Sequence, residues 1–236
     1  MKIGVFTDVH ANLPALIKVI SFFRKQGCDH IYHVGDLIGI GPHPKECMEF
    51  ALSISELTLI MGNHDYWYAY GLPKNMHSDE LEHQKWTHKQ LTPQYISVVK
   101  TWPFCKSHLL PNGKSIHFSH YGLNKQNNWF VDIVPSPTAD DLDNMFSDVK
   151  SDYVFYGHHH QASEEFGKKH YINVGSAGCH NKAEARCSIL TFKETEHQLK
   201  TYSLPYKDGS LLEDYELRNV PSRDFILKVF VVRKNG

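Results

Sequence analysis

The stretch KIGVFTDVHANLPALIKVISFFRKQGCDHIYHVGD, residues 2–36, decides the fold. Ile3 to Thr7 is an apolar run of strand length. Asn12 then stands as a cap before a segment in which Leu13, Leu16, Ile17, Ile20 and Phe23 return at helical spacing until Gly27. Ile31 to Val34 reads as a second strand. Outward from this unit, Pro44 to Leu52 reads as a helix and Thr58 to Met61 as a third strand. The resulting βαβαβ unit predicts a parallel core, because parallel neighbours need a crossover connection. Further on, the polar stretch Lys74 to Leu91 is predicted helical, Lys114 to Ser119 a strand, Ala139 to Val149 a helix and Tyr153 to Tyr156 a strand. Lys169 to Val174, Ala185 to Phe192, Gln198 to Leu204 and Phe225 to Val232 are short and β-branched or aromatic, with one helical segment at Leu211 to Leu217. They predict a second, largely antiparallel sheet. The chain, residues 1–236, reads as one α/β domain.

Composition narrows the function. Lys+Arg 25 against Asp+Glu 26 leaves a formal net charge of −1 with no basic block, so tight binding to duplex nucleic acid is not expected. No apolar run approaches the roughly 20 residues of a membrane span, and Asp8 and Pro14 interrupt the start too early for a signal peptide, so the expected location is cytoplasmic, away from the membrane. The five cysteines are odd in number and show no C-x-x-C spacing, which argues for free thiols. Histidine is the outlier: 17 residues is far above an ordinary share, and imidazole is the commonest protein metal ligand. The oligomeric state is not legible.

In open α/β sheets ligands bind outside the carboxyl ends of the strands. The residues there are uniform in chemistry: Asp8-Val9-His10, Gly35-Asp36, Gly62-Asn63-His64-Asp65, His120, and Gly157-His158-His159-His160. Each block alone has a bland reading as a helix cap or turn. All five in order, each at a strand exit, point instead to one polar site.

These blocks resemble the calcineurin-like metallophosphoesterases, whose ordered signature is D-x-H, G-D, G-N-H-D/E, an isolated H, and G-H-x-H. The stretch Ile172-Asn173-Val174-Gly175-Ser176-Ala177-Gly178 resembles the N-P-G-S loop of small bacterial and archaeal members, with Val174 in place of Pro. The resemblance implies an αββα sandwich, two facing mixed sheets flanked by helices. It also implies two divalent transition-metal ions, one held by Asp8, His10, Asp36 and His160 and the other by Asp36, Asn63, His120 and His158, with Asp36 bridging. His117 is a rival for His120 but lies inside the strand; His159 is the variable position of its motif. The remaining histidines, such as His30, His33, His77, His83, His88 and His197, are read as surface or supporting groups.

Two cations about 3.5–4 Å apart would share a hydroxide that attacks phosphorus and would clamp the phosphate. Mixed N/O ligation without thiolate suits Mn, Fe, Zn, Co or Ni better than Ca or Mg. His64 resembles the family's catalytic histidine, a general acid toward the leaving group. Asp65 either orients it or is a turn carboxylate accepting backbone N–H groups. The stretches 35–41 and 61–65 carry none of the arginines with which the family's protein phosphatases grip a monoester dianion. That points to phosphodiester or nucleotide-like substrates, as in members once grouped with diadenosine-tetraphosphate hydrolases, which Gly39 to Pro44 also resembles. A phosphomonoesterase, or a non-catalytic metal-binding interaction module, is the alternative. Tyr66, Trp67, Tyr68, Tyr70, Tyr121, Trp129 and Phe130 are candidates to stack on a base or to pack the rim.

Overall fold

The computed structural model describes residues 1–193 and 196–230, and no side chain of residues 193–197, so the reading of His197 lies outside what is described. The elements begin β1 (Lys2–Phe6), α1 (Leu13–Gln26), β2 (His30–His33), α2 (Pro44–Leu52), β3 (Leu57–Leu59), α3 (Asn63–Tyr70), α4 (Ser78–Gln90) and α5 (Gln94–Val99). There follow β4 (Cys105–Leu109), β5 (Ser115–Ser119), α6 (Ala139–Met145), β6 (Tyr153–Tyr156), β7 (Ser163–Phe166) and β8 (His170–Asn173). The chain continues through β9 (Glu184–Lys193), β10 (Glu196–Pro205), α7 (Gly209–Leu217) and α8 (Arg223–Phe230).

Two five-stranded sheets form, in the orders β10-β9-β1-β2-β3 and β4-β5-β6-β8-β7. Both are mixed: β1, β2 and β3 run parallel, as do β5, β6 and β8, while β9, β10, β4 and β7 add antiparallel neighbours. Side-chain alternation builds the layers. Ile3, Val5, Tyr32, Val34 and Leu190 of the first sheet meet Ile116, Phe118, Tyr153, Phe155 and Ile172 of the second in one apolar cluster between them. The opposite faces are covered by helices. Phe6 and Ile31 pack with Leu16, Ile20 and Phe23 of α1 and Met48 of α2, while Val154, Tyr156 and Tyr171 pack with Leu142 of α6 and the adjoining Phe146. The order is helix, sheet, sheet, helix. α1 starts as read: Asn12 Oδ1 accepts the Ala15 N–H at 3.1 Å, and Gly27 ends it at φ +65°.

Two readings are corrected. β9 and β10 do not build the second sheet; β9 pairs antiparallel with β1, Gly4 opposite Ile189, and extends the first. Strand propensity carries no information on the partner, and the exposed edge of β1 was open to them. Phe225 to Val232 is not a strand as far as Phe230; it is α8, and the rest of that segment lies outside the described residues. Its apolar residues sort by helical period, with Ile226 buried against Leu211, Tyr215 and Val220. Helices α3 and α5 and edge strands β4 and β7 had no reading. Among the described residues no helix is long and apolar enough to cross a membrane, and all five cysteines are free thiols.

His33, read as a surface or supporting group, is fully buried against Phe6 with neither ring nitrogen hydrogen-bonded. Burial pushes its imidazolium down to about 3. The unfolded chain takes up this proton near the ordinary histidine value of about 6.5, the folded chain only near the lower value, so stability is lost as pH falls between them. The loss is at most about 1.4 kcal/mol per pH unit. We therefore expect His33→Phe, which takes no proton, to show a shallower fall in urea midpoint than the parent between pH 7 and pH 5, both metal-free. Equal falls would show that His33 does not carry this penalty.

Candidate metal centre

The site assembles at the carboxyl ends of β1, β2, β5 and β6 and at the start of α3. Asp8, His10, Asp36, His158 and His160 all sit in the left-handed backbone region, at φ 53°, 48°, 59°, 72° and 59°. Such values strain L-residues and cluster at functional sites. The turns are held by backbone bonds: Asp8 N–H to Gly35 C=O, His10 N–H to Asp36 C=O and Ser176 N–H to His160 C=O. The loop after β8 closes the two sheets here, since Thr7 bridges to Ser176 and the Ser176 hydroxyl donates to Asp8 C=O at 2.7 Å.

All seven candidate ligands converge. In the first group, His10 Nε2 and His160 Nε2 lie 2.8 Å apart, and each faces Asp8 Oδ1, at 3.5 Å and 3.4 Å. Asp8 Oδ2 accepts the His158 N–H at 3.1 Å, whereas the fully buried Oδ1 meets no hydrogen-bond donor. In the second group, Asn63 Oδ1 is 3.1 Å from His120 Nε2 and 3.0 Å from His158 Nδ1. Asp36 belongs to both: its Oδ2 lies 3.2 Å from His120 Nε2 and 3.8 Å from His10 Nε2, while Oδ1 accepts the His64 N–H at 2.8 Å.

The donor chemistry fits a cation. His120 donates from Nδ1 to Val34 C=O at 2.9 Å, so its Nε2 turns a lone pair toward the oxygens of Asp36 and Asn63. Lone pairs facing one another repel unless a proton or a metal ion stands between them. Without metal the proton takes that place: burial would lower His120, but Asp36 and Asp8 carry it up to about 9. Burial likewise opposes ionisation of Asp8, and His120 with the other imidazoles holds the carboxyl well below its usual range. Burial lowers His10 and takes His158 down to about 4, which leaves both neutral and able to ligate.

His117 points away, with Nδ1 beside the Ser107 hydroxyl at 3.3 Å, and His159 donates to Val134 C=O at 3.1 Å. The Asp65 carboxylate makes no hydrogen bond to the His64 ring. Its carboxylate accepts N–H groups from Asp36 at 2.9 Å, Leu37 at 3.1 Å and Gly62 at 3.0 Å, fixing the turn that presents Asp36. Burial and the Asp36 charge push it up to about 7. The partner of His64 is Gln84 on α4, which the sequence reading missed; its amide N–H donates to His64 Nδ1 at 2.6 Å. The remaining ring proton is then on Nε2, which lies 4.0 Å from Asp36 Oδ2. Gly39, at φ +87°, leaves room for this ring, since a Cβ there would strike His64 Nδ1. Cys179, also missed, lies with His10 and His160 in a third group of potential ligand atoms.

The site floors a cleft of 710 Å³ whose walls include Trp67, Tyr121, Trp129, Phe130 and Ile133. No lysine or arginine is among its described lining residues.

The sequence profile of the calcineurin-like phosphoesterase superfamily domain matches residues 1–196, and the chain belongs to that superfamily. It is 27% identical over 228 residues to an uncharacterized protein of Methanocaldococcus jannaschii, covering 86% of this chain and 87% of that one. A shorter match, 33% identical over 84 residues, is to the symmetrical bis(5'-nucleosyl)-tetraphosphatase of Coxiella burnetii, covering 34% of this chain and 27% of that one. The solved structure of a hypothetical protein from Pyrococcus horikoshii superposes with a TM-score of 0.81 at 16% identity, over 99% of both chains. The fold is that of the metallophosphoesterases, and the superfamily marks the protein as a phosphohydrolase whose His/Asp clusters could hold metal.

Because Asp36 Oδ2 lies within 4 Å of an imidazole nitrogen of each group, we expect Asp36→Ala to lose more metal than His160→Ala or His158→Ala when each is loaded, dialysed and measured by plasma mass spectrometry. Metal content in Asp36→Ala equal to the parent would remove Asp36 from the ligand set.

Proposed function

We propose that the protein hydrolyses phosphodiesters with two divalent transition-metal ions that share Asp36. The carrying observation is the position of Asp36 Oδ2 between the two ligand groups, at the floor of a cleft lined by aromatic rather than basic side chains. Two bound cations would supply a nucleophile from water at neutral pH and neutralise charge on the phosphoryl oxygens. The chain's own part is positioning. Asp36 would hold both ions, and the Asp65 carboxylate, which accepts the N–H groups of Asp36, Leu37 and Gly62, holds Asp36 in place.

In the reaction water adds its oxygen to phosphorus and the P–O bond to one alcohol breaks. That alcohol leaves with a proton, and a monoester remains. Burial takes the His64 imidazolium down to about 3, so the ring is neutral and holds its proton at Nε2 for the departing oxygen. A neutral imidazole donating to an oxygen that gains charge is an established catalytic device. A diester carries one negative charge where a monoester dianion carries two, so a site without an arginine clamp favours the diester. The cleft's aromatic wall of Trp67, Tyr121, Trp129 and Phe130 suits an organic ester group. The partial likeness to a dinucleoside tetraphosphatase supports a nucleotide-like ester as the second substrate class. The small phosphate ester is the expected partner in either case, at near-neutral net charge.

We expect kcat/KM for bis(p-nitrophenyl) phosphate to exceed that for p-nitrophenyl phosphate by about tenfold, a difference of about 1.4 kcal/mol in the barrier. This applies with whichever of Mn, Fe, Zn, Co or Ni restores activity after chelation; a preference for the monoester would reverse the assignment. His64→Ala should keep its metal and lose about 10²–10⁴-fold on a dialkyl diester, whose alkoxide needs a proton, but much less on the nitrophenyl diester. Equal losses would make His64 a phosphate-positioning group instead.

A further inference from the structure

Where α4 and α8 meet, a pocket of 130 Å³ opens beside His64, with Ile40, Glu80, Gln84, Phe225, Ile226 and Phe230 in its walls. It shares Ile40, His64, Glu80 and Phe230 with the main cleft, so the two spaces adjoin. Its α8 wall lies beyond residues 1–196, outside the part of the chain that the superfamily profile matches.

The lining states what fits. A space of 130 Å³ admits a small alcohol. Phe225, Ile226 and Phe230 give it an apolar side. On the other side the Gln84 amide is almost fully buried; its nitrogen is engaged by His64 and its Oε1 meets no donor. A buried acceptor of this kind is relieved by a ligand that brings an N–H or O–H. Glu80 adds negative charge, Asp79 faces the His77 ring at 3.6 Å, burial keeps His83 neutral by taking it down to about 4, and no lysine or arginine is among the described lining residues. The aromatic rings and carboxylates together favour a cation over an anion.

We propose that this pocket seats the departing alcohol of the diester, and that the alcohol is small and carries an amine or hydroxyl a few atoms from the ester oxygen. The inference rests on the phosphodiesterase reading and sharpens it, because the acidic lining disfavours a leaving group bearing further phosphate. Water takes the place of the alcohol on phosphorus, and the freed alcohol carries the proton away.

The test compares the metal-loaded enzyme on bis(aminoethyl), bis(hydroxyethyl) and diethyl phosphate and on diadenosine tetraphosphate, with phosphorus NMR following the products. The first two should exceed diethyl phosphate by about tenfold in kcat/KM, since a site built to hydrogen-bond rejects the analogue lacking the donor. Diadenosine tetraphosphate should be the poorest substrate. Ile226→Phe, which fills the pocket, should bring the preference to within about twofold; Glu80→Gln, at a partly exposed position, should lower the aminoethyl-to-diethyl ratio at least about fivefold. No preference in an active enzyme, a preference unmoved by both substitutions, or diadenosine tetraphosphate as the best substrate would overturn the pocket and leave the hydrolase reading standing. No turnover of any of these or of bis(p-nitrophenyl) phosphate would overturn the hydrolase reading itself, and the pocket with it.

Discussion

Two carboxylates, Asp8 and Asp36, are buried at the carboxyl ends of neighbouring parallel strands, and the protonated His120 faces both, at 4.0 Å and 3.2 Å. Removing an ionised carboxylate from water costs several kcal/mol, of the order that destabilises a whole domain unless opposite charge and hydrogen bonds offset it. Here the compensation comes from other strands. His120 arrives from β5, His158 and His160 from the turn after β6, and Asn63 from the start of α3. The sandwich is the device that brings these ends together. Closing one sheet over the other through Ile3, Val5, Phe118 and Phe155 brings the polar strand ends into a common site.

The backbone bears part of the cost. Five of the seven candidate ligands lie in the left-handed region, at a cost on the order of 1 kcal/mol each. Such strain persists only where the surroundings over-determine it, and the turns here are pinned from several sides. The Asp65 carboxylate gathers the N–H groups of the Asp36 turn, and the loop after β8 bonds to Asp8 and His160. Asn12 both caps α1 and donates to Gly178 C=O at 2.9 Å, tying the first helix to that loop. A metal ion replacing the shared proton at His120 would add to a geometry that is already set, which is the preorganisation that hydrolysis at a metal requires.

Much of this was legible in the sequence because Asp8, His10, Asp36, Asn63, His120, His158 and His160 each follow a strand or open a helix, and ligands collect at such ends. The βαβαβ start was legible from periodicity and caps. What escaped depended on contacts between distant segments. Nothing local says that β9 chooses β1 as its neighbour. In α8 the aromatic and β-branched residues Phe225, Ile226 and Val229 speak for a strand, and only packing on α7 and the loop before α8 shows the helix. β4 and β7 are edge strands, half-exposed and without an apolar pattern. Gln84 sits in a polar helix with no motif around it, so its bond to His64 is visible only in three dimensions.

Asp36 is proposed to join two cation sites. Anomalous diffraction from crystals of the manganese- or zinc-loaded protein tests it most directly. The account expects two peaks about 3.5–4 Å apart on either side of Asp36 Oδ2, one near His10 and His160 and one near His120 and His158. A single peak at full metal saturation, or two peaks with Asp36 bound to only one, would contradict it.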